Sequence, residues 1–292
     1  MRPICSNSWL TRAIIAGFRV ATVIALGALV ASAADTPPSS GLDRGFQRLY
    51  DLDFAGAQKE FQAWEAQNPG NALGPVSQAA GILFSEFNRL GVLESQFYAD
   101  DSAFADRKKY DPDPQQRVRF EEQVSRAETL GRAQLARDPR DRDALLGMTL
   151  IAGLRADYAA LIEKRNLSSL HYTKESAVWA KKLLDADPDC YDARLAGGIS
   201  RYIVGSMSAP VRWFLRLGGV QGDKAGGFAE LQAVATNGRL LAPFARILLA
   251  IAYVRDKDLL HAREILQSLQ KDFPENQLFP RELARLDRSG TP

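Results

Sequence analysis

The chain has 292 residues, 46% of them hydrophobic and 25% charged, with 22 Gly and 14 Pro, which excludes wholesale disorder and any collagen-like or low-complexity character. Two Cys exclude a disulfide scaffold, two His argue against a His-rich metal enzyme, and the excess of Ala and Leu over Val, Ile and Thr predicts helix rather than sheet. The formal net charge of +2 leaves little basic surplus for holding phosphates, so no nucleic-acid partner is expected.

Residues 1–33 read as a secretory signal. Arg2, Arg12 and Arg19 make a positive start without an acid, residues 20–30 (VATVIALGALV) are apolar, and Ala31-Ser32-Ala33 supplies a small-x-small cleavage pattern. An uncleaved anchor is the rival reading, but the unbroken run of about 15 residues falls short of the ~20 that span hydrocarbon. Cys5 precedes that run, so it cannot be a lipid-bearing Cys at the cleavage point. Cleavage would turn the formal charge to −1 and leave Cys190 as the only thiol, without an intramolecular disulfide. The expected location is the periplasm of a bacterium, with secretion as the alternative. Residues 34–41 then form a linker, and 42–292 one all-α domain with possible halves at 42–205 and 209–288. No later segment is expected to cross a membrane.

Periodicity and breakers predict helices over 42–51, 53–67, 73–90, 114–138, 141–163, 168–186, 190–205, 209–217, 223–236, 240–255, 258–272 and 277–287. Four of these run into a proline: Pro69, Pro139, Pro188 and Pro274. Twelve residues before each proline stand Ala57, Ala127, Ser176 and Ala262. Eight before stand Phe61, Gly131, Ala180 and Leu266, and five before stand Trp64, Gln134, Leu183 and Leu269. Those offsets lie on one helical face, and a small residue there lets a neighbouring helix come close. The stretches from Asp138-Pro139 to Gly147 and from Asp187-Pro188 to Gly197 read as one helix-to-helix joint used twice.

This pattern resembles the second helix of a tetratricopeptide repeat (TPR). The fullest match is 244–276, where Leu249, Ala250 and Tyr253 fit the first helix and Ala262, Leu266, Leu269 and Pro274 the second. Arg246 stands where the family often has Trp. Gly45, Phe54, Ala57, Phe61 and Pro69 match a first unit, with Arg48 in place of the usual Tyr. The middle copies are weaker, and the proline spacings depart from a 34-residue period. The resemblance implies a TPR-like solenoid of helical hairpins, a right-handed superhelix with irregular spacers. It also implies a groove that holds peptides or helices. The inward positions that carry Lys and Asn in the family's carboxylate-clamp members are Ile247, Leu248 and Ile251 here, so no clamp is expected. Such an apolar inner face means either a hydrophobic groove or burial, and the length of the chain favours burial.

Catalysis finds no constellation. The stretch 217–227 (LGGVQGDKAGG) fails as a phosphate loop, because Asp223 separates Gly222 from Lys224 and Ala225 replaces the hydroxyl residue. Asp223 reads instead as a helix cap. His171 and His261 lack metal spacing, and no Gly-x-Ser-x-Gly elbow occurs. Cys190 lies near a helix start, which could lower its thiol pKa, but burial as a small apolar residue is the favoured role. The acidic segment 95–114 lacks the Gly and terminal Glu of a calcium loop. No cofactor and no metal are expected.

Residues 210–217 combine Trp213, Phe214 and Leu217 on one arc with Arg212 and Arg216 one turn apart. The segment loosely resembles a joint in a eukaryotic family of membrane-associated TPR proteins, from which no function is carried over. Aromatic and Arg residues dominate interfaces, so Arg212, Trp213 and Arg216 are the expected partner-binding residues, with core packing of Trp213 as the plainer alternative. The expected function is a non-catalytic exported scaffold that binds an unidentified protein. The alternative is peripheral membrane or lipid association through 210–217.

Overall fold

The structure, a computed structural model, describes residues 40–94, 110–206 and 222–289. Among these residues the chain forms eleven α-helices and no strand. They are α1 (Gly41–Tyr50), α2 (Phe54–Gln67), α3 (Leu73–Arg89), α4 (Pro114–Arg137), α5 (Arg142–Asp157), α6 (Asn166–Ala186), α7 (Arg194–Ser206), α8 (Lys224–Asn237), α9 (Ala242–Arg255), α10 (Leu259–Asp272) and α11 (Leu278–Ser289). Tyr158–Ile162 extends α5 by one π-helical turn, and Tyr191–Ala193 forms a 3-10 turn ahead of α7. All the expected helices within the described residues are present. The helix expected over 209–217, the signal at 1–33 and residues 34–39 of the linker lie outside them.

Successive helices pack as hairpins, α1 with α2, α3 with α4, α5 with α6, α7 with α8 and α9 with α10, and α11 closes on α10. The four prolines therefore all follow the second helix of a hairpin. Ala57, Ala127, Ser176 and Ala262 are buried, as are Phe61, Gly131, Ala180 and Leu266. At the third position Gln134, Leu183 and Leu269 are buried and Trp64 half-buried. In the first hairpin the need for small residues is concrete: a Cβ on Gly45 would stand 2.2 Å from the Phe61 ring. The uneven proline spacing has two sources. Residues 90–113 separate α3 from α4, and α8 ends at Asn237-Gly238 with no proline, so one interval spans two hairpins.

The first and last hairpins share their turn in detail. Leu52 and Lys257 both adopt left-handed backbone, at φ 64° and 61°. The following Asp53 and Asp258 donate their N–H to Arg48 and Tyr253 carbonyls, both at 2.9 Å, and their carboxylates cap α2 and α10. After each proline, Asn71 and Asn276 accept the N–H of Leu73 and Leu278, both at 2.9 Å. Even the two departures from the repeat pattern serve one purpose. Arg48 pairs with Asp53 at 2.8 Å, and Arg246 pairs with Asp272 at 2.7 Å, tying the first helix of each hairpin to its second. The repeated Asp-Pro joint also holds, since Asp138 and Asp187 end α4 and α6 in the same extended conformation.

The last hairpin returns to the first. The Tyr50 hydroxyl donates to the Leu240 carbonyl at 2.9 Å, and Asn276 Nδ2 donates to the Tyr50 carbonyl at 2.7 Å. Tyr50 and Phe273 rings lie 5.5 Å apart. Asp192, in the turn before α7, accepts the N–H groups of Leu240 and Leu241, each at 3.1 Å. It thereby caps α9, whose own N-cap Leu241 has no side chain able to do so. This buried polar joint unites the turn after α1, the turn before α7, and both ends of the α9–α10 hairpin.

α3 and α5 run through the core. Residues Arg142–Ile162, 21 residues with a most apolar 18-residue window of mean hydropathy 1.5, are long and apolar enough to cross a membrane, contrary to the sequence expectation for the later segments. In the fold 61% of that apolar window is buried inside the protein, the mark of a core helix.

Candidate functional site

The first helices of the hairpins turn one arc toward their neighbours' backs and another inward. In α5, a Cβ on Gly147 would meet Ala72 at 3.1 Å, Met148 reaches Gly131 of α4, and the Thr149 carbonyl accepts the Ser176 hydroxyl of α6 at 3.0 Å. A different arc of α5 carries Leu150, half-buried against the core, and, two turns on, Asp157. In α7, Gly198 and Tyr202 press against Gly227 of α8, leaving Ile199 and Ile203 on the other side, Ile203 being 49% exposed. In α9, Ala245, Leu249 and Ala252 are buried, and Phe244, Ile247, Leu248 and Ile251 share the opposite arc. Phe244 meets Phe84 of α3 edge-to-face, with centroids 5.7 Å apart. Ile247, Leu248 and Ile251 remain half-buried. The expectation of burial is met in part: Ile247 and Leu248 pack against the core, and with Ile251 they keep some accessible apolar surface.

Asp157 interrupts this apolar arc. Its side chain is partly accessible yet recessed among protein atoms, and burial pushes its carboxyl to about 7, with no hydrogen bond or charge from the described residues acting on it. The helix changes pitch immediately afterwards. Glu163 N–H bonds to the Tyr158 carbonyl at 3.2 Å, Arg165 N–H to the Ala159 carbonyl at 2.8 Å, and Lys164 takes φ 57°. A π turn of this kind re-aims side chains and is frequent at functional positions.

Tyr158 points the other way, toward α4, stacking on Phe120 with centroids 5.1 Å apart. Its buried hydroxyl has no hydrogen-bond partner among the described residues, and burial pushes the phenol to about 12. It lines a crevice of about 180 Å³, open solvent included, with Ile82, Glu86, Pro112 and Arg117. Glu86 there is committed, clamped by Arg89 at 2.7 and 2.8 Å and by the Asp113 N–H at 2.8 Å. Those bonds hold its carboxyl below the ordinary range, led by the Arg89 contact. Arg117 pairs with Glu163 at 3.2 Å. Among the described residues, the crevice presents neither a nucleophile nor a general base.

The residues expected to bind a partner, Arg212, Trp213 and Arg216, lie outside the described residues, as does the whole 210–217 segment expected to make the alternative membrane contact. The repeat-signature residues Ala57, Phe61, Leu249, Ala250, Ala262 and Leu266 are buried, Tyr253 is half-buried, and Pro69 and Pro274 are exposed. Asp223 caps α8 through the Gly226 N–H at 2.9 Å, as its position implied. Cys190 is half-buried and burial pushes its thiol up, so the activated-thiolate reading does not hold. His171 is exposed on α6, and His261 pairs with Asp258 at 2.7 Å. No cluster of three metal-ligating side chains occurs among the described residues. Sequence reasoning missed Asp157; its available signal was an acid within the apolar 142–162 run.

No protein-family model matches the chain, and no curated protein matches it. Among solved structures, a thermophilic TPR protein of Thermus thermophilus is similar at 17% identity and a TM-score of 0.43, over 84% of this chain and 96% of that one.

Proposed function

We propose that the chain is an exported, non-catalytic helical-repeat scaffold that holds an apolar segment of a partner protein against the inner arcs of its first helices. The observation that carries this reading is the apolar arc of α9, where Ile247, Leu248 and Ile251 stay half-buried although Ile247 and Leu248 also pack against the core. Accessible apolar surface of this kind, next to a core already closed at Phe84–Phe244, gains free energy when a partner covers it. Export rests on the signal-like residues 1–33.

A photo-crosslinking residue placed at Leu248 or Ile251 tests it in the native cell envelope. A discrete adduct from these positions and none from Val118, which is 56% exposed on α4, is the expected outcome. Equal labelling from Val118, or no adduct from the inner positions, contradicts the reading. Mass spectrometry of the same material should find a mature N-terminus near Ala34.

A further inference from the structure

The second helices of the hairpins differ in what they show to solvent. α2 exposes Lys59 as its one charged residue, α8 exposes none, and α4 and α10 expose acids and bases together. α6 departs from them. Leu167, His171, Lys174, Val178, Lys181 and Lys182 are all exposed, and steps of three and four residues keep them within one arc of the helix. Leu167 is 85% exposed, more than any other large apolar side chain among the described residues, and Val178, three turns on, is 55% exposed. One acid, Asp185, closes the end of the arc and pairs with Lys181 at 2.6 Å, while Glu175 stands at its edge, half-buried. The Lys182 ammonium lies 4.2 Å from the centre of the half-buried Trp179 ring on the flank. The opposite side of α6, with Ser176, Ala180 and Leu183, is buried in the fold.

We infer that this outward arc of α6 is a docking surface for an anionic lipid bilayer, with Leu167 and Val178 dipping toward the acyl chains and the lysines resting on the phosphates. The surface is separate from the inner face and does not depend on what that face holds. Three features favour a bilayer over an acidic protein. Lysines with exposed Leu and Val along one helix are the composition of interfacial helices, whereas protein interfaces are poor in Lys and anchored by Tyr, Trp and Arg seated in pockets. The two apolar side chains stand about 16 Å apart along the axis, with bases between and beyond them, a line that suits a plane. Lysine stems are also long enough to let the apolar side chains enter while the charges stay at the headgroups. Two apolar side chains alone hold a protein weakly, so attraction to anionic lipid supplies the remainder and makes docking reversible and salt-sensitive.

An environment-sensitive fluorescent amino acid placed at Val178 of the full chain tests this, with Leu260, exposed on α10, as the control position. A probe on α6 reports its own contact, whatever residues 1–33 do. Vesicles of phosphatidylcholine with about one third phosphatidylglycerol should shift the Val178 signal to the blue and leave the Leu260 signal unchanged. Salt at ~0.5 M should abolish the shift. Lys174→Gln, Lys181→Gln and Lys182→Gln together should weaken the titration at least tenfold, at about fivefold per base. Leu167→Ser should weaken it about tenfold. Both variants should melt as wild type does. No shift with anionic vesicles, an equal shift with pure phosphatidylcholine or at Leu260, or a titration that the substitutions leave unchanged overturns the inference. A response to polyglutamate in place of vesicles overturns it in favour of an acidic protein. A lowered melting temperature in either variant also overturns it, because the arc would then be part of the fold.

Discussion

Two aspartates in this fold are recessed among protein atoms and do opposite things. Asp192 sits in the joint between the first and last hairpins, where the N–H groups of Leu240 and Leu241 both reach it. Asp157 sits at the end of α5 facing inward and has no such donor among the described residues. Burial raises the pKa of both, but at Asp192 the backbone donors work against that rise. The pair teaches that a buried charge is read by its partners rather than by its depth. One is part of the architecture, and the other carries its burial with no partner among the described residues.

The largest difference between them should appear in the pH dependence of stability. The folded-state value of Asp157, about 7, lies above its ordinary 3.8, so the ionised form disfavours the fold. Stability tied to this group is fully present below about pH 4 and is lost as the pH rises toward 7. At 1.36 kcal/mol per pH unit the loss is at most about 4 kcal/mol, reduced by whatever water relaxes around the accessible edge. Asp157→Asn and Asp157→Leu should flatten this part of the profile in urea melts taken from pH 4 to 8. A wild-type profile that the substitutions leave unchanged would break the comparison.

Asp192→Ala should cost about 3 kcal/mol at neutral pH, because two buried N–H groups at the start of α9 lose their acceptor. Chemical denaturation measures it, and a loss under about 1 kcal/mol would show that the joint tolerates orphaned donors. The smallest effect sharpens the same point. Tyr50→Phe removes one hydrogen bond to the Leu240 carbonyl and keeps the ring against Phe273, so about 1 kcal/mol should be lost.

The two regions were unequally visible in the sequence. The hairpins were legible wherever a proline punctuated them, since Pro69, Pro139, Pro188 and Pro274 fix the register that puts Ala57, Ala127, Ser176 and Ala262 at the helix crossings. The α7 and α8 helices were expected, but not their pairing, because Asn237-Gly238 ends α8 without a proline and the close crossing depends on Gly198 and Gly227, which carry no periodic signature. The joint at Asp192 was invisible for another reason. Its members, Tyr50, Asp192, Leu240 and Asn276, are brought together only when the last hairpin meets the first, and no local pattern encodes such a meeting. Asp157 could be seen as an acid in an apolar run, but its isolation is the sum of where every neighbouring Arg and Lys goes. The aromatic and Arg segment at 210–217 stood out by its composition and helical spacing and lies outside the described residues.

The ionisation of Asp157 in the free protein tests the account most directly. Carbon-detected NMR on selectively labelled aspartate carboxyls, assigned with Asp157→Asn, would follow it. A midpoint near 7 is expected. A midpoint near 3.8 in the free protein would mean that the carboxylate is already partnered or freely hydrated, and the contrast with Asp192 would fail.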